Sequence, residues 1–331
     1  MIIQIAIGDW YIYEVSLILQ GMAQTILVTG AEGQLGKEIS RLAVALPNPE
    51  VRFIFTDLKA GDGVQALDIT DEEAVGVLLR KEKVTAVVNC AAYTEVEKAE
   101  CNPETADLLN HVAVAGIAEA AREVGATLIH ISTDYVFSGE ACVPYREMDE
   151  TGPTGVYGVT KLAGERAVID SGCKYIIIRT AWLYSPHGKN FLKTMLKLTS
   201  EKKALGVVCD QVGTPTSATD LAALIIKIIC EDMTSREGIY HFSGEGVCSW
   251  YDFAVEIAAL AGNTECEIRP CRSEEYPSKV RRPHYSVLDK KLVKDTFGVK
   301  IQHWRVSLAD CIERIISLPG ASQGLPQCPR R

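Results

Sequence analysis

The sequence predicts an α/β fold, a doubly wound parallel sheet followed by a smaller carboxyl-terminal lobe, and three observations carry that reading. Short apolar runs rich in Val and Ile alternate with helix-length stretches from Thr25 onward. The runs are nearly continuous in apolarity, as strands covered on both faces by crossover helices should be. The first run leads straight into a glycine-rich turn, and the regular alternation loosens after Arg179.

Taken in order, strands are expected at 26–29, 51–56, 84–90, 127–132 and 174–179, with helices between them at 36–46, 71–83, 103–124 and 154–171. Beyond Arg179 the pattern reads as a helix over 190–200, a strand at 205–209 and a helix over 217–231. A run at 238–242, a helix over 249–261 and a terminal helix near 307–316 complete it. These later pieces are expected to close over the carboxyl ends of the strands. The division is therefore 25–180 for the first domain, with later segments returning to it, and 181–318 mainly for the lobe. Residues 319–331, rich in Pro, Gly, Ser and Gln, are expected to be disordered. The opening stretch to residue 24 is apolar, but Gln4, Asp9 and Glu14 interrupt it. It has neither the length of a membrane helix nor the basic start of a signal peptide. We read it as an extra segment ahead of the fold, with Met22 as the natural start; native mass spectrometry showing Met1 would remove that reading.

Composition narrows the function. The chain has 331 residues, 47% hydrophobic and 23% charged, with a net charge of −9. That balance argues against nucleic acid, whose phosphates need clustered Lys and Arg. The eleven cysteines are scattered without a C-x-x-C pair, as reduced thiols of a cytoplasmic protein would be. Six dispersed histidines offer no zinc pattern, and no metal site is predicted.

The turn Gly30-Ala-Glu-Gly33-Gln34-Leu35-Gly36 joins the first strand to the first helix. Glycines serve there because the turn is tight, the backbone must approach a pyrophosphate, and the helix must lie close to the strand. Amides at the helix start then face the phosphate charge. Asp57 ends the second strand, 21 residues after Gly36, where a carboxylate accepts hydrogen bonds from an adenosine ribose and repels a 2′-phosphate. That favours NADH, while Lys59 softens the preference and leaves NADPH open. Asp68 and Ile69 are placed to meet the adenine edge. Ala91 and Ala92, small residues after the strand at 84–90, leave room for the cofactor to cross the sheet.

Tyr157-Gly-Val-Thr-Lys161 opens the helix after the strand at 127–132, and residues four apart share a helix face. A nearby cation stabilises phenolate, lowering the Tyr pKa so that the phenol can protonate a developing alkoxide. Tyr157 alone among the twelve tyrosines has Lys four residues later. Thr133, at the carboxyl end of a central strand, is placed to bind a substrate carbonyl. Thr133, Tyr157 and Lys161 are thus the candidate catalytic residues, with Tyr157 and Lys161 also touching the cofactor.

With these motifs the sequence resembles the extended short-chain dehydrogenase/reductase superfamily, which has a Rossmann-like fold, and within it the dTDP-4-dehydrorhamnose reductase family. The resemblance spans about residues 25–316. It is carried by Ser132-Thr-Asp-Tyr-Val-Phe137, Val156-Tyr-Gly-Val-Thr-Lys-Leu-Ala-Gly-Glu165, Arg179-Thr-Ala-Trp-Leu-Tyr184, Asp210-Gln-Val-Gly-Thr-Pro-Thr216 and Arg281-Arg-Pro283. It implies reduction of the 4-keto group of dTDP-4-dehydro-L-rhamnose, with Tyr157 as general acid, Lys161 on the nicotinamide ribose and Thr133 on the carbonyl. Asp134 and Tyr135, beside Thr133, and Trp182 are implied on the sugar, and Arg281 and Arg282 on the diphosphate. Some members place Mg²⁺ at a dimer contact; the carboxylates for it are not identifiable here, and a homodimer is left open. A 4,6-dehydratase of the superfamily would carry Asp-Glu after the Thr, where this chain has Asp134-Tyr135. A 4-epimerase would lack the last two motifs. The alternatives are a reductase or epimerase of another nucleotide sugar and a non-catalytic NADP-binding regulatory subunit of the same fold.

Overall fold

The computed structural model describes residues 24–45, 48–276 and 280–317. The extra amino-terminal segment and the disordered tail read from the sequence lie outside them, save Gln24, which begins the first strand. The main sheet uses β1 (Gln24–Thr29), β2 (Val51–Asp57), β3 (Val64–Ala66), β4 (Ala86–Asn89), β5 (Thr127–Thr133) and β6 (Lys174–Thr180). Four two- to five-residue strands follow, β7 (Leu183–Tyr184), β8 (Ala204–Val208), β9 (Val212–Gly213) and β10 (Thr216–Ser217). Then come β11 (Gly238–His241), β12 (Cys248–Ser249) and β13 (Glu267–Cys271). The main sheet is seven-stranded with spatial order β11-β6-β5-β4-β1-β2-β3, and every pairing in it is parallel.

The chain therefore moves outward from β1 in one direction through β2 and β3, then restarts at β4 on the other side. The crevice between β1 and β4, outside the strand carboxyl ends, is where doubly wound sheets bind ligands. Helices cover both faces: α1 (Gln34–Ala45), α2 (Glu72–Glu82), α3 (Val96–Ala99), α4 (Pro103–Asp107), α5 (Ala113–Val124), α6 (Val156–Asp170), α7 (Phe191–Glu201), α8 (Ala218–Cys230), α9 (Trp250–Ala261), α10 (Lys291–Phe297) and α11 (Trp304–Ser317). Because strand side chains alternate, Ile26 and Val28 pack with Ile39 of α1 and Ile225 of α8, whereas Leu27 packs opposite with Leu79 of α2 and Ile117 of α5. A further core joins Leu192 and Leu196 of α7, Phe253 and Ile257 of α9, and Trp304 and Leu308 of α11.

Local chemistry explains the element starts. Asp71 caps α2 by accepting from the Ala74 amide at 2.9 Å, and Ser249 and Asp252 form a reciprocal box at the start of α9. The structure departs from the sequence pattern in places. The three-residue β3, β13 and α10 were too short or too polar to stand out. The expected helix over 103–124 contains a π turn at Leu108–Val112, which sequence periodicity does not signal. β11 lies beside β6, so this late segment completes the main sheet.

Candidate active site

One cleft of about 910 Å³ lies outside the carboxyl ends of the strands, lined from the first half of the chain and from the β6–α7 and α9 regions. Its floor begins at the glycine turn. Gly30 has φ +64°, and a Cβ there would come within 2.7 Å of the Ala91 nitrogen, so the turn packs on the end of β4. Gly36 does not line the cleft; a Cβ on it would strike the Gly30 carbonyl and come within 2.6 Å of Ala31 Cα, so it serves the close seating of α1. Gly33 is freer, meeting only the Gly30 oxygen at 3.1 Å, and with Gln34 and Leu35 it faces the cleft. Asp57, Asp68, Ile69, Ala91 and Ala92 line the same wall. The Asp57 carboxylate accepts from the Glu32 amide at 2.9 Å and from the Leu58 amide at 2.8 Å, so it also braces the turn.

Thr133, Tyr157 and Lys161 all reach the cleft. Thr133 ends β5 and accepts from the Tyr135 amide at 3.2 Å while its hydroxyl donates to Asp134 Oδ1 at 3.0 Å. Burial pushes the Tyr157 phenol well above its ordinary range, and a hydrogen bond with the Thr133 side chain draws it back only in part. This corrects the expectation that Lys161 lowers the Tyr157 pKa. The lysine is buried, and its Nζ donates to the Ile131 carbonyl at 2.7 Å, 3.4 Å from His130 Nε2. Residues four apart share a face, but here the ammonium bonds the Ile131 carbonyl of the strand beneath, and burial dominates the phenol. Burial brings the Lys161 ammonium down to about 8, opposed by Glu165.

Asp134 is buried with Oδ2 unpartnered, and desolvation raises its carboxyl to about 6. Tyr135 packs edge-on against Tyr157, centroids 5.5 Å apart, and its phenol is raised to about 12 by burial, with Arg282 opposing. Arg282 lines the cleft and donates to Glu97 Oε1 at 3.1 Å. Arg281 does not reach the cleft. It pairs instead with Glu140 at 2.6 Å on the surface.

Trp182 adopts φ +49°, a conformation uncommon for a bulky residue. Its indole stacks on Trp250 at 3.5 Å between centroids and 7° between planes, and both line the cleft with Phe191. Gly213 makes room for the stack, since a Cβ there would come within 2.6 Å of the Trp182 ring. Sequence reasoning found Trp182 but missed Trp250, some 70 residues on, which only tertiary packing brings beside it. It also missed Asn110. The π turn delivers its carboxamide to the Tyr93 backbone (2.8 Å to N, 3.1 Å to O) and to Thr160 Oγ1 at 3.2 Å, bracing α6 near Tyr157. The clue available was Gly164, where any Cβ would strike the Asn110 carbonyl.

The loop from Tyr184 to Asn190 crosses the glycine turn. Ser185 Oγ and Asn190 Nδ2 both donate to Gln34 Oε1, at 3.1 and 2.8 Å, tying α7 to α1. Among the described residues no helix is long and apolar enough to cross a membrane.

Comparison with known proteins agrees with this geometry. Residues 24–317 match the family described as RmlD substrate binding domain. The dTDP-4-dehydrorhamnose reductase of Escherichia coli K12 is 38% identical over 299 residues, covering 88% of this chain and 98% of the relative. The crystal structure of a dTDP-4-dehydrorhamnose reductase from Clostridium acetobutylicum is 44% identical with a TM-score of 0.81, covering 88% of this chain and 99% of that one. The same enzyme from Bacillus anthracis, solved in complex with NADP, is 35% identical with a TM-score of 0.80, over 88% and 100% of the two chains. The chain belongs to the dTDP-4-dehydrorhamnose reductase family of oxidoreductases.

Proposed function

We propose that the chain reduces the 4-keto group of dTDP-4-dehydro-L-rhamnose to dTDP-L-rhamnose with NADH or NADPH. The observation that carries this reading is the convergence of Thr133, Tyr157 and Lys161 on the cleft that the glycine turn opens. The residues fit a dinucleotide. Gly33 leaves the turn open to the cleft, Asp57 and Asp68 offer carboxylates along one wall, and Ala91 and Ala92 leave space between them. A bound reduced nicotinamide supplies hydride. Tyr157, kept protonated at neutral pH by its burial, gives its proton to the carbonyl oxygen as charge develops there. Thr133 orients that oxygen, and Lys161 holds the ribose of the cofactor. The Trp182–Trp250 stack shapes the sugar end, Asp134 and Tyr135 flank the reacting carbonyl, and Arg282 is the guanidinium suited to a diphosphate. The lobe built on α7, α9 and α11 is then the substrate-binding part, set over the dinucleotide-binding sheet.

Loss of reduced-nicotinamide absorbance with dTDP-4-dehydro-L-rhamnose, generated in place by its upstream enzymes, is the direct test. Formation of dTDP-L-rhamnose is expected. Binding of cofactor without turnover would favour a different keto-sugar or a regulatory subunit.

Asp57→Ala is expected to weaken NADH by about 10- to 100-fold, as loss of a charge-assisted hydrogen bond does, and NADPH much less. Dissociation constants from fluorescence titration check it; equal losses would leave Asp57 only its bracing of the Glu32 amide. Gly213→Ala is expected to push Trp182 off Trp250 and to raise KM for the sugar nucleotide several-fold at nearly constant cofactor affinity. An unchanged KM would remove the stacked pair from substrate recognition.

A further inference from the structure

Three polar side chains cross the sheet in register, one per strand, beneath the cleft. Thr29 of β1 pairs with Asn89 of β4, and Asn89 pairs with His130 of β5. All three are at most 1% exposed. Burying such groups carries a penalty unless each is hydrogen-bonded, and here they bond to one another. Thr29 Oγ1 donates to Asn89 Oδ1 at 2.6 Å, which turns the amide nitrogen of Asn89 toward His130 Nδ1 at 3.2 Å. An amide nitrogen only donates, so Nδ1 must accept, and the hydrogen of a neutral ring then sits on Nε2. Nε2 lies 3.4 Å from Lys161 Nζ. The ring is neutral, since burial first and the Lys161 charge second hold its pKa well below the ordinary value.

We propose that His130 is a positioning residue for Lys161, its tautomer locked by Asn89 and Thr29 so that Nε2–H faces the lysine and makes it readier to give up its proton. An N–H directed at an ammonium disfavours the charged form, whereas the same N–H can donate to a neutral amine. One other group facing Nζ acts in the opposite sense. Glu165, on the same helix, favours the ammonium, while burial keeps the Cys90 thiol, just beyond β4, and the Tyr157 phenol on α6 uncharged. The row thus opposes Glu165 and adds to the effect of burial. Its importance for catalysis rests on Lys161 serving the proposed reduction; the lock itself does not.

The test reads the two side chains directly in the full chain without substrate. Nitrogen-15 spectra of labelled histidine should show the His130 ring, told apart from the equally buried His241 by its loss in His130→Gln, neutral from pH 6 to 9 with its hydrogen on Nε2. Carbon-13 spectra of labelled lysine should show a lysine titrating near 8, distinguished from the also lowered Lys290 by its loss in Lys161→Met. Thr29→Val replaces a hydroxyl by a methyl of similar size, three residues away from the lysine along the row. Without that donor the Asn89 amide can turn its oxygen to Nδ1, the ring hydrogen moves there, and the Nε2 lone pair meets the ammonium. The proton affinity of Lys161 is expected to rise about tenfold, one unit in its midpoint. A wild-type His130 ring carrying its hydrogen on Nδ1, or a Lys161 midpoint unchanged in Thr29→Val, overturns the proposal. Neither result bears on whether the chain turns over the keto-sugar, which the absorbance assay decides separately.

Discussion

Tyr157→Phe is expected to lower turnover by about 10²- to 10⁴-fold while leaving the cofactor dissociation constant within a few-fold of the parent. The substitution removes only the phenolic oxygen. The ring keeps its edge-on packing against Tyr135, so the start of α6 and the cleft wall stay in place. What disappears is the proton donor and the bond to the Thr133 side chain. Because burial keeps this phenol protonated through neutral pH, loss of its proton should not limit the parent rate between pH 6 and 8, and any pH dependence there is expected from Asp134 and Lys161. Single-turnover measurements at saturating cofactor separate the chemical step from binding. Retention of most of the parent rate would remove Tyr157 as the acid and direct attention to Thr133 or a water in its place.

Arg179→Met is expected to destabilise the fold by about 3–5 kcal/mol, the usual effect of removing one partner of a buried pair. Arg179 of β6 and Glu165 of α6 are 3% and 1% exposed, joined at 2.7 Å between Nη2 and Oε2 and at 2.9 Å between Nε and Oε1. The guanidinium also donates to the Glu147 carbonyl at 3.1 Å and lies over the Phe137 ring, while Ser132 donates to Glu165. Methionine fills much of the space but leaves a buried carboxylate without its cation. That carboxyl would then have a folded pKa above its unfolded one. Its penalty is small below the unfolded pKa, grows as the pH rises from the unfolded to the folded value, and levels off above it. Urea denaturation should therefore show a larger loss at pH 8 than at pH 5. The double variant with Glu165→Leu should recover part of the loss, because no charge is then stranded. A loss under 1 kcal/mol in Arg179→Met, or one independent of pH, would contradict this account.

Much of the site was legible in the sequence because its signals are local. A glycine turn between a strand and a helix, a carboxylate at the next strand end, and Tyr and Lys one helical turn apart are each written within a few residues. Thr133 could be placed because it follows directly on the apolar run that forms β5. The error about Lys161 arose at the next level. Helical spacing determines that two side chains share a face, but not which group on the strand beneath captures the ammonium. Arg281 and Arg282 show the same limit, for adjacent residues in an irregular segment carry no period from which their directions could be read.

The sequence by itself determined the parallel sheet, the glycine turn after its first strand, and the choice of Thr133, Tyr157 and Lys161, which the fold brings to one cleft. Backbone sterics and apolar periodicity act over short stretches and repeat from strand to strand. Only the tertiary structure decided that Trp250 stacks on Trp182, that Arg179 neutralises Glu165, and that Thr29, Asn89 and His130 line up behind Lys161. Each of those contacts joins segments from separate strands, helices or lobes. Their partners are selected by sheet order and register, which no window of sequence contains.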